Sequence, residues 1–220
     1  MPRRNAQAAA PRWQRRPDDR PHALMASALK LVKERGYRRV RLEDIAADAG
    51  VCKATVYHYF ASKDELLTRM IEARVAERNA AIEQMMASAG GSASSRLRLF
   101  LYKFWEFSLT SQAGVWQRLL ASEIVTEAPD VFTAWGRGLV QRWRRVQRLI
   151  EEGQRNGEFR EDVDAAVAAR LIVSGLAHQA LFHVHFGLDR LDPCSVDRIF
   201  DAAVEQLFHG LRPLTRSTRR

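Results

Sequence analysis

Three residues near the N-terminus constrain this chain more than any other feature: Ala46, Gly50 and Val56, at offsets of four and ten. Two short helices that cross closely in a helix-turn-helix need a small residue in the first, a glycine in the turn and an apolar seal in the second. The glycine takes positive φ at low steric cost. Ile45 and Ala49 fill the neighbouring inward slots. A helical hairpin inside an ordinary core has the same bare pattern, and the outward residues separate the two readings. Lys53, Thr55, Tyr57, His58 and Lys63 are all potential donors, of the kind that reach phosphate oxygens or base edges in a major groove. Tyr59 reads as packing and Tyr57 as a phosphate contact.

The rest of the chain keeps the helical period. Leu24, Ala28, Leu31 and Val32 share a face that begins at Pro21 and ends at Gly36. Glu43 to Ala49 and Lys53 to Phe60 are the next two helices. Ser62 is an N-cap and Glu65 completes a capping box for a fourth helix, which runs to about Ser88. Further helices are expected over 94–110, 114–125, 129–153, 163–187 and 195–211. No strand alternation, hairpin turn or internal repeat is present, so the expected fold is all-α, with a three-helix N-terminal helix-turn-helix domain. The expected organisation is a disordered basic arm over 1–19, a helix-turn-helix domain over 20–66, a larger helical domain over 67–213 and a basic tail over 214–220.

Charge follows that division. The net charge is +9, and residues 1–70 carry 15 Lys+Arg against 8 Asp+Glu while the remainder is nearly balanced. A basic module on a near-neutral body points to a polyanionic partner. No run of 18 or more apolar residues occurs, so no membrane span is expected, and the arginine-rich N-terminus lacks the apolar stretch of a secretory signal. The two cysteines, Cys52 and Cys194, make no disulfide framework and point to a reducing cytoplasm.

Other constellations favour structure over chemistry. His178 and His185 share a helix face two turns apart, about 10.5 Å, which is too far for one metal. They and His183 read as interface or pocket histidines, and His178 as a candidate cavity residue. Arg137, Arg142, Arg144, Arg145 and Arg148 occur between Asp130 and Glu151 with no acid among them. The ordinary reading is a solvated helix face; a pocket for an acidic effector is the less favoured one. Phe104, Trp105, Trp116 and Trp135, with His178, suit a cavity for an apolar or aromatic small molecule. No metal site and no cofactor are expected. With no Ser-His-Asp signal or glycine-rich phosphate loop either, an enzyme is disfavoured.

The run Gly50-Val51-Cys52-Lys53-Ala54-Thr55-Val56-Tyr57-His58-Tyr59-Phe60-Ala61-Ser62-Lys63-Asp64-Glu65-Leu66 closely resembles the DNA-binding signature of the tetracycline-repressor (TetR/AcrR) family. Gly36-Tyr37 and Leu42-Glu43-Asp44-Ile45-Ala46 match its upstream parts. Ile150-Glu151-Glu152-Gly153-Gln154 with Gly157-Glu158-Phe159-Arg160 matches more loosely downstream. The resemblance implies about nine helices, a C-terminal ligand-binding and dimerisation domain, and a homodimer formed through the helices near 163–187 and 195–211. It implies a repressor released from an inverted-repeat operator in double-stranded DNA by a small molecule. It carries DNA contact over to Lys53, Ala54, Thr55, Tyr57, His58 and Lys63. Leu171, Leu207 and Phe208 are the apolar residues expected at the pairing face. A DNA-binding architectural or partner-controlled regulator without an effector is the alternative. Two positions depart from the signature: Arg41 replaces the usual Thr or Ser cap, and Cys52 the usual Ser. At the start of a helix and beside Lys53, the Cys52 thiol is expected to have a lowered pKa.

Overall fold

The computed structural model describes residues 20–110, 113–114, 125–191 and 193–213. The arm over 1–19, the tail over 214–220, Trp116 and most of the helix expected over 114–125 lie outside the described residues. Among the described residues all regular structure is helical. The elements are α1 (Arg20–Arg35), α2 (Leu42–Asp48), α3 (Lys53–Tyr59), α4 (Lys63–Ser88), α5 (Ala93–Ser108), the single turn α6 (Val125–Glu127), α7 (Pro129–Arg155), α8 (Ala165–Gln179) and α9 (Val196–Leu211). They fall into two compact units, divided between Leu66 and Leu67.

The first unit is built on α1, whose buried face is Leu24, Ala28, Leu31 and Val32, as the helical spacing predicts. Gly36 ends this helix at φ +82°, its amide donating to the Val32 carbonyl at 2.9 Å. Leu42, Ile45 and Ala46 bury the inner face of α2, and Val56 is the buried residue of α3. Fully burying side chains of this kind stabilises by roughly 1.5–3 kcal/mol each. Gly50 carries the turn at φ +68°, with open space where a Cβ would stand, so it is required by backbone angle and not by crowding.

The second unit has one core, in which Leu97, Phe100, Leu101, Val146, Ile150, Val173, Leu176 and Val204 are buried between α5, α7, α8 and α9. α4 and α7 lie side by side in parallel register. Glu72 pairs with Arg137 at 3.1 Å, Asn79 with Gln141 at 2.5 Å, and Glu83 with Arg145. Between the first two pairs, a Cβ on Gly138 would come within 2.8 Å of Val75 Cγ2, so glycine sets how closely the helices approach.

The segment after α7 is a tight structural device. Gln154 donates from Nε2 to the carbonyls of Arg160 (3.0 Å) and Val163 (2.8 Å). Glu158 accepts from the backbone amides of Ala93 (3.0 Å) and Ser94 (2.9 Å), capping α5 beside its own N-cap Ser92. These bonds hold the Glu158 carboxyl below its usual pKa, the Ser94 amide contributing most. Asp164 caps α8 through the amides of Ala166 and Val167, which starts that helix at 165 instead of 163.

The helix expected over 163–187 is not uniformly α. It passes at Ala180 into a π-helical turn, Ala180–His185. Two side chains leave this turn for distant backbone: His183 Nε2 bonds the Cys194 carbonyl at 2.7 Å, and His185 Nε2 the Ser108 carbonyl at 2.8 Å. The stretch Ala165–His185 is long and apolar enough, by length and composition, to cross a membrane, although Arg170, His178 and Gln179 interrupt it. Its Ala169, Ile172, Val173, Leu176 and Ala180 are buried in the second unit's core.

Gly153 directly faces Phe159, which is 4% exposed, and a Cβ there would collide with the ring. Gly153→Ala is expected to lower stability by roughly 1–3 kcal/mol through overpacking. Thermal unfolding of the purified protein measures this; an unchanged midpoint would show that the ring can move aside freely.

Candidate nucleic-acid interface and effector site

α3 has seven residues and buries Val56 alone, so its orientation is imposed by its neighbours. With Val56 fixed inward, Lys53, Ala54, Tyr57 and His58 are exposed. Thr55 and Tyr59 are half-buried. The His58 ring meets Tyr59 edge-on at 5.1 Å, in line with a packing role for Tyr59.

Glu43, in the first turn of α2, organises this surface. Its carboxylate pairs with Lys53 Nζ at 2.7 Å and accepts from the Tyr57 hydroxyl at 3.1 Å. The Lys53 bond is the main reason its pKa is lowered to about 2, and Lys53 is raised in return. A carboxylate with a depressed pKa keeps its interaction above the usual carboxylate range and loses it as pH falls toward 2. Sequence reasoning found Lys53 and Tyr57 but missed Glu43, whose signal was its place in the second helix's acidic first turn. Lys63 stands apart from the others. It is half-buried, donates to the Tyr37 carbonyl at 2.7 Å and lies 3.8 Å over the Tyr37 ring, while the Tyr37 hydroxyl bonds Asp64. Its removal disturbs the start of α4 as well as any phosphate contact.

The two departures from the signature have local explanations. Arg41 offers no acceptor for the amides of α2, but Asp44 accepts from the Arg41 amide at 2.9 Å, keeping half of a capping box. Ser62 accepts from the Glu65 amide at 3.0 Å, and Glu65 reaches back to the Ala61 amide at 2.7 Å. Cys52 is the N-cap of α3 without a side-chain cap bond, its Sγ lying 3.1 Å from the Thr55 hydroxyl. Its thiol pKa is lowered as expected, but the Thr55 hydroxyl is the leading cause and Lys53 is not among the causes.

In the second unit, Phe104 (8% exposed) and Trp105 (3%) belong to the core, and Trp105 stacks on Phe200 with centroids 6.0 Å apart. Trp135 is half-buried against Phe132 at 5.8 Å. His178 is exposed and stacks on Phe182 at 4.4 Å. Of the five candidate effector residues, Phe104 and Trp105 lie in the core, Trp135 is half-buried, His178 is exposed, and Trp116 is outside the described residues. Phe208, expected at a pairing face, is 4% exposed and packs edge-on against Phe159 at 6.0 Å.

The arginine run of α7 divides in two. Arg137, exposed, and Arg145, whose side chain is only 14% exposed, pair with Glu72 and Glu83 of α4. Arg142 contradicts the solvated-face reading: it is 8% exposed, its guanidinium 5.7 Å from the Phe104 ring. Arg78 of α4 lies over Phe107 at 4.6 Å. In the sequence, Arg142 belonged to the run weighed as a pocket for an acidic effector, and Arg78 was not singled out. For Arg142 a signal of burial was present, since Gly138, Arg142 and Val146 fall on one helical face.

Replacing Cys52 by serine supplies the oxygen acceptor that α3 lacks. Cys52→Ser is expected to raise stability by about 0.5–1 kcal/mol, the lower range for a good N-cap. Denaturant unfolding reads this directly, and a destabilised variant would show that the thiol–Thr55 contact outweighs the cap.

The family model for bacterial regulatory proteins of the tetR family matches residues 24–70, which cover most of α1, all of α2 and α3, and the start of α4. The HTH-type transcriptional regulator EthR of Mycolicibacterium smegmatis is 28% identical over 146 residues, 63% of this chain and 64% of that protein, just under two thirds of the relative's length. The HTH-type transcriptional activator FasR of the same species is 27% identical over 206 residues, 91% of this chain and 87% of that one. Among solved structures, FadR of Bacillus subtilis in complex with stearoyl-CoA has a TM-score of 0.69 at 18% identity, covering 87% of this chain and 99% of that one, a likeness of fold. With its signature residues arranged as this helix-turn-helix requires, the chain carries over residues 24–70 the helix-turn-helix module of the tetR family of bacterial regulatory proteins.

Proposed function

We propose that the protein is a sequence-specific DNA-binding transcriptional regulator that represses from an inverted-repeat operator and is released by a small molecule bound in its second unit. The observation that carries this reading is the outward edge of α3, where Lys53, Ala54, Tyr57 and His58 are exposed while Val56 fixes the helix. An exposed edge of this composition suits a major groove. FadR of Bacillus subtilis, which shares the fold, was solved with stearoyl-CoA, which supports a small-molecule site in the helical body. The role is binding and not catalysis. Both cysteines are free thiols, in keeping with the cytoplasm.

Pairing of two copies follows from the outer face of α8. Val167 is 49% exposed and Leu171 70%, with Gly175 open on the same helix. Leu207 of α9 is half-buried. An apolar strip with small residues lets two helices approach closely, and a two-fold pair reads two half-sites. The effector then acts by favouring a conformation whose two reading helices no longer match the half-site spacing. A ligand that bound both conformations equally would shift nothing.

In-vitro selection of DNA by the purified full-length protein tests the reading, with sedimentation giving the stoichiometry. The expected result is an enriched inverted repeat bound by a dimer; no enriched motif, or a tightly bound monomer, overturns it. His58→Ala is expected to change the selected bases, at roughly 1–3 kcal/mol for a lost base contact.

Glu43 opposes DNA by charge and by occupying Lys53. Glu43→Gln is expected to strengthen binding to DNA of any sequence and to steepen the log–log salt dependence by about 0.9, one added phosphate contact. Affinity titrations over a salt series check it, and an unaltered slope would remove Lys53 from the phosphate contacts.

A further inference from the structure

Buried charge in the second unit is unevenly matched. Two arginines of α7 have an acid across the α4–α7 seam: Arg137 faces Glu72 and Arg145 faces Glu83. On the side toward α5, Arg78 and Arg142 approach each other instead. The Nε–H groups of both are buried without a hydrogen-bond partner, and among the described residues no carboxylate pairs with either. Arg142 is more than nine-tenths buried. Each guanidinium lies over an aromatic ring, Arg142 over Phe104 and Arg78 over Phe107, and these rings are three residues apart on one face of α5. Burial, and secondarily the like charge of Arg78, lowers the Arg142 pKa to about 9, so it remains cationic at neutral pH. Two unpaired cations packed against apolar rings form an arrangement that an incoming anion completes.

We propose that Arg142 and Arg78 bind the carboxylate of an otherwise apolar effector, whose body lies against Phe104 and Phe107. This rests on the reading that the second unit takes a small-molecule effector. A planar carboxylate has two oxygens, enough to accept from both unpartnered Nε–H groups in charge-assisted bonds. The apolar body matches the two rings. A phosphate monoester carries further charge that must be stripped of water in the same apolar surroundings. The groove of about 460 Å³ near the ends of α4 and α7 is the weaker anion site, because Glu83, Glu151 and Glu152 line it among its arginines, two of which, Arg96 and Arg145, already face Glu152 and Glu83.

Binding by the full-length protein is measured by tryptophan quenching and thermal shift with dodecanoate, 2-naphthoate and phenylacetate, against dodecanol, 2-naphthol and dodecyl phosphate. At least one acid is expected to bind about tenfold or more tighter than its neutral counterpart, as charged hydrogen bonds require. Arg142→Met should bring that preference to within about twofold, while its unliganded melting temperature equals or exceeds wild type because an unpaired buried cation has gone. Arg78→Gln, at a less buried position, should weaken the preference in the same direction and serves if Arg142→Met does not fold. The proposal is overturned if no acid binds, if acid and alcohol bind equally, if dodecyl phosphate binds more tightly than dodecanoate, or if the preference survives in the folded variants. Displacement of the selected operator DNA separates the two readings. Arginine-dependent acid binding that leaves the operator bound supports the site and removes the inducer role; release by neutral compounds alone keeps the inducer role and overturns the site.

Discussion

The second unit depends on the packing of α7 against α5 and α8, and α4 lies alongside α7. Gly138 permits the close approach of α4, since any side chain there would press into Val75. Once the helices lie side by side, their polar residues sort by position. Those at the outer edge find partners across the seam, as Glu72 does with Arg137 and Asn79 with Gln141. Those turned toward α5 meet Phe104 and Phe107 instead. Exposed ion pairs of the first kind contribute little to stability, typically below about 1 kcal/mol. The seam therefore depends on packing and close approach, and the charges report its register.

The first unit obeys a different constraint. A seven-residue helix such as α3 is not stable by itself, and Val56 contributes one buried side chain. Its geometry is set by the Gly50 turn, by α2 behind it, and by Phe60 at its end, which is 2% exposed. This is economical for a surface that must meet another molecule, because nearly every other residue of the helix is free of the core. Glu43 adds an electrostatic layer, holding Lys53 and Tyr57 in one arrangement before any partner arrives.

The segment joining α7 to α8 shows how a weak sequence resemblance acquires physical content. Gly153 leaves room for Phe159, Gln154 ties off two carbonyls and Glu158 caps α5. Each residue has a distinct task, and together they connect α5, α7 and the start of α8. The loop is part of the second unit's core architecture and not only a connection between helices.

Much of this fold was legible in the sequence because helices advertise themselves locally. The spacing of Leu24, Ala28, Leu31 and Val32, the caps at Ser62 and Gly36, and Pro129 opening α7 are short-range features that the chain satisfies by itself. The exposed edge of α3 was legible for the same reason: once Val56 is inward, helical geometry turns Lys53, Tyr57 and His58 outward. Contacts between distant residues were not legible. Nothing local distinguishes His183 and His185, yet carbonyls at Cys194 and Ser108 draw them out of a regular helix. Arg142 shows the boundary most clearly. Its spacing placed it with Gly138 and Val146, while its charge argued for solvent, and only packing against α4 and α5 decided between them. Periodicity determines which way a side chain points; what waits there is set by other helices, and that required the tertiary structure.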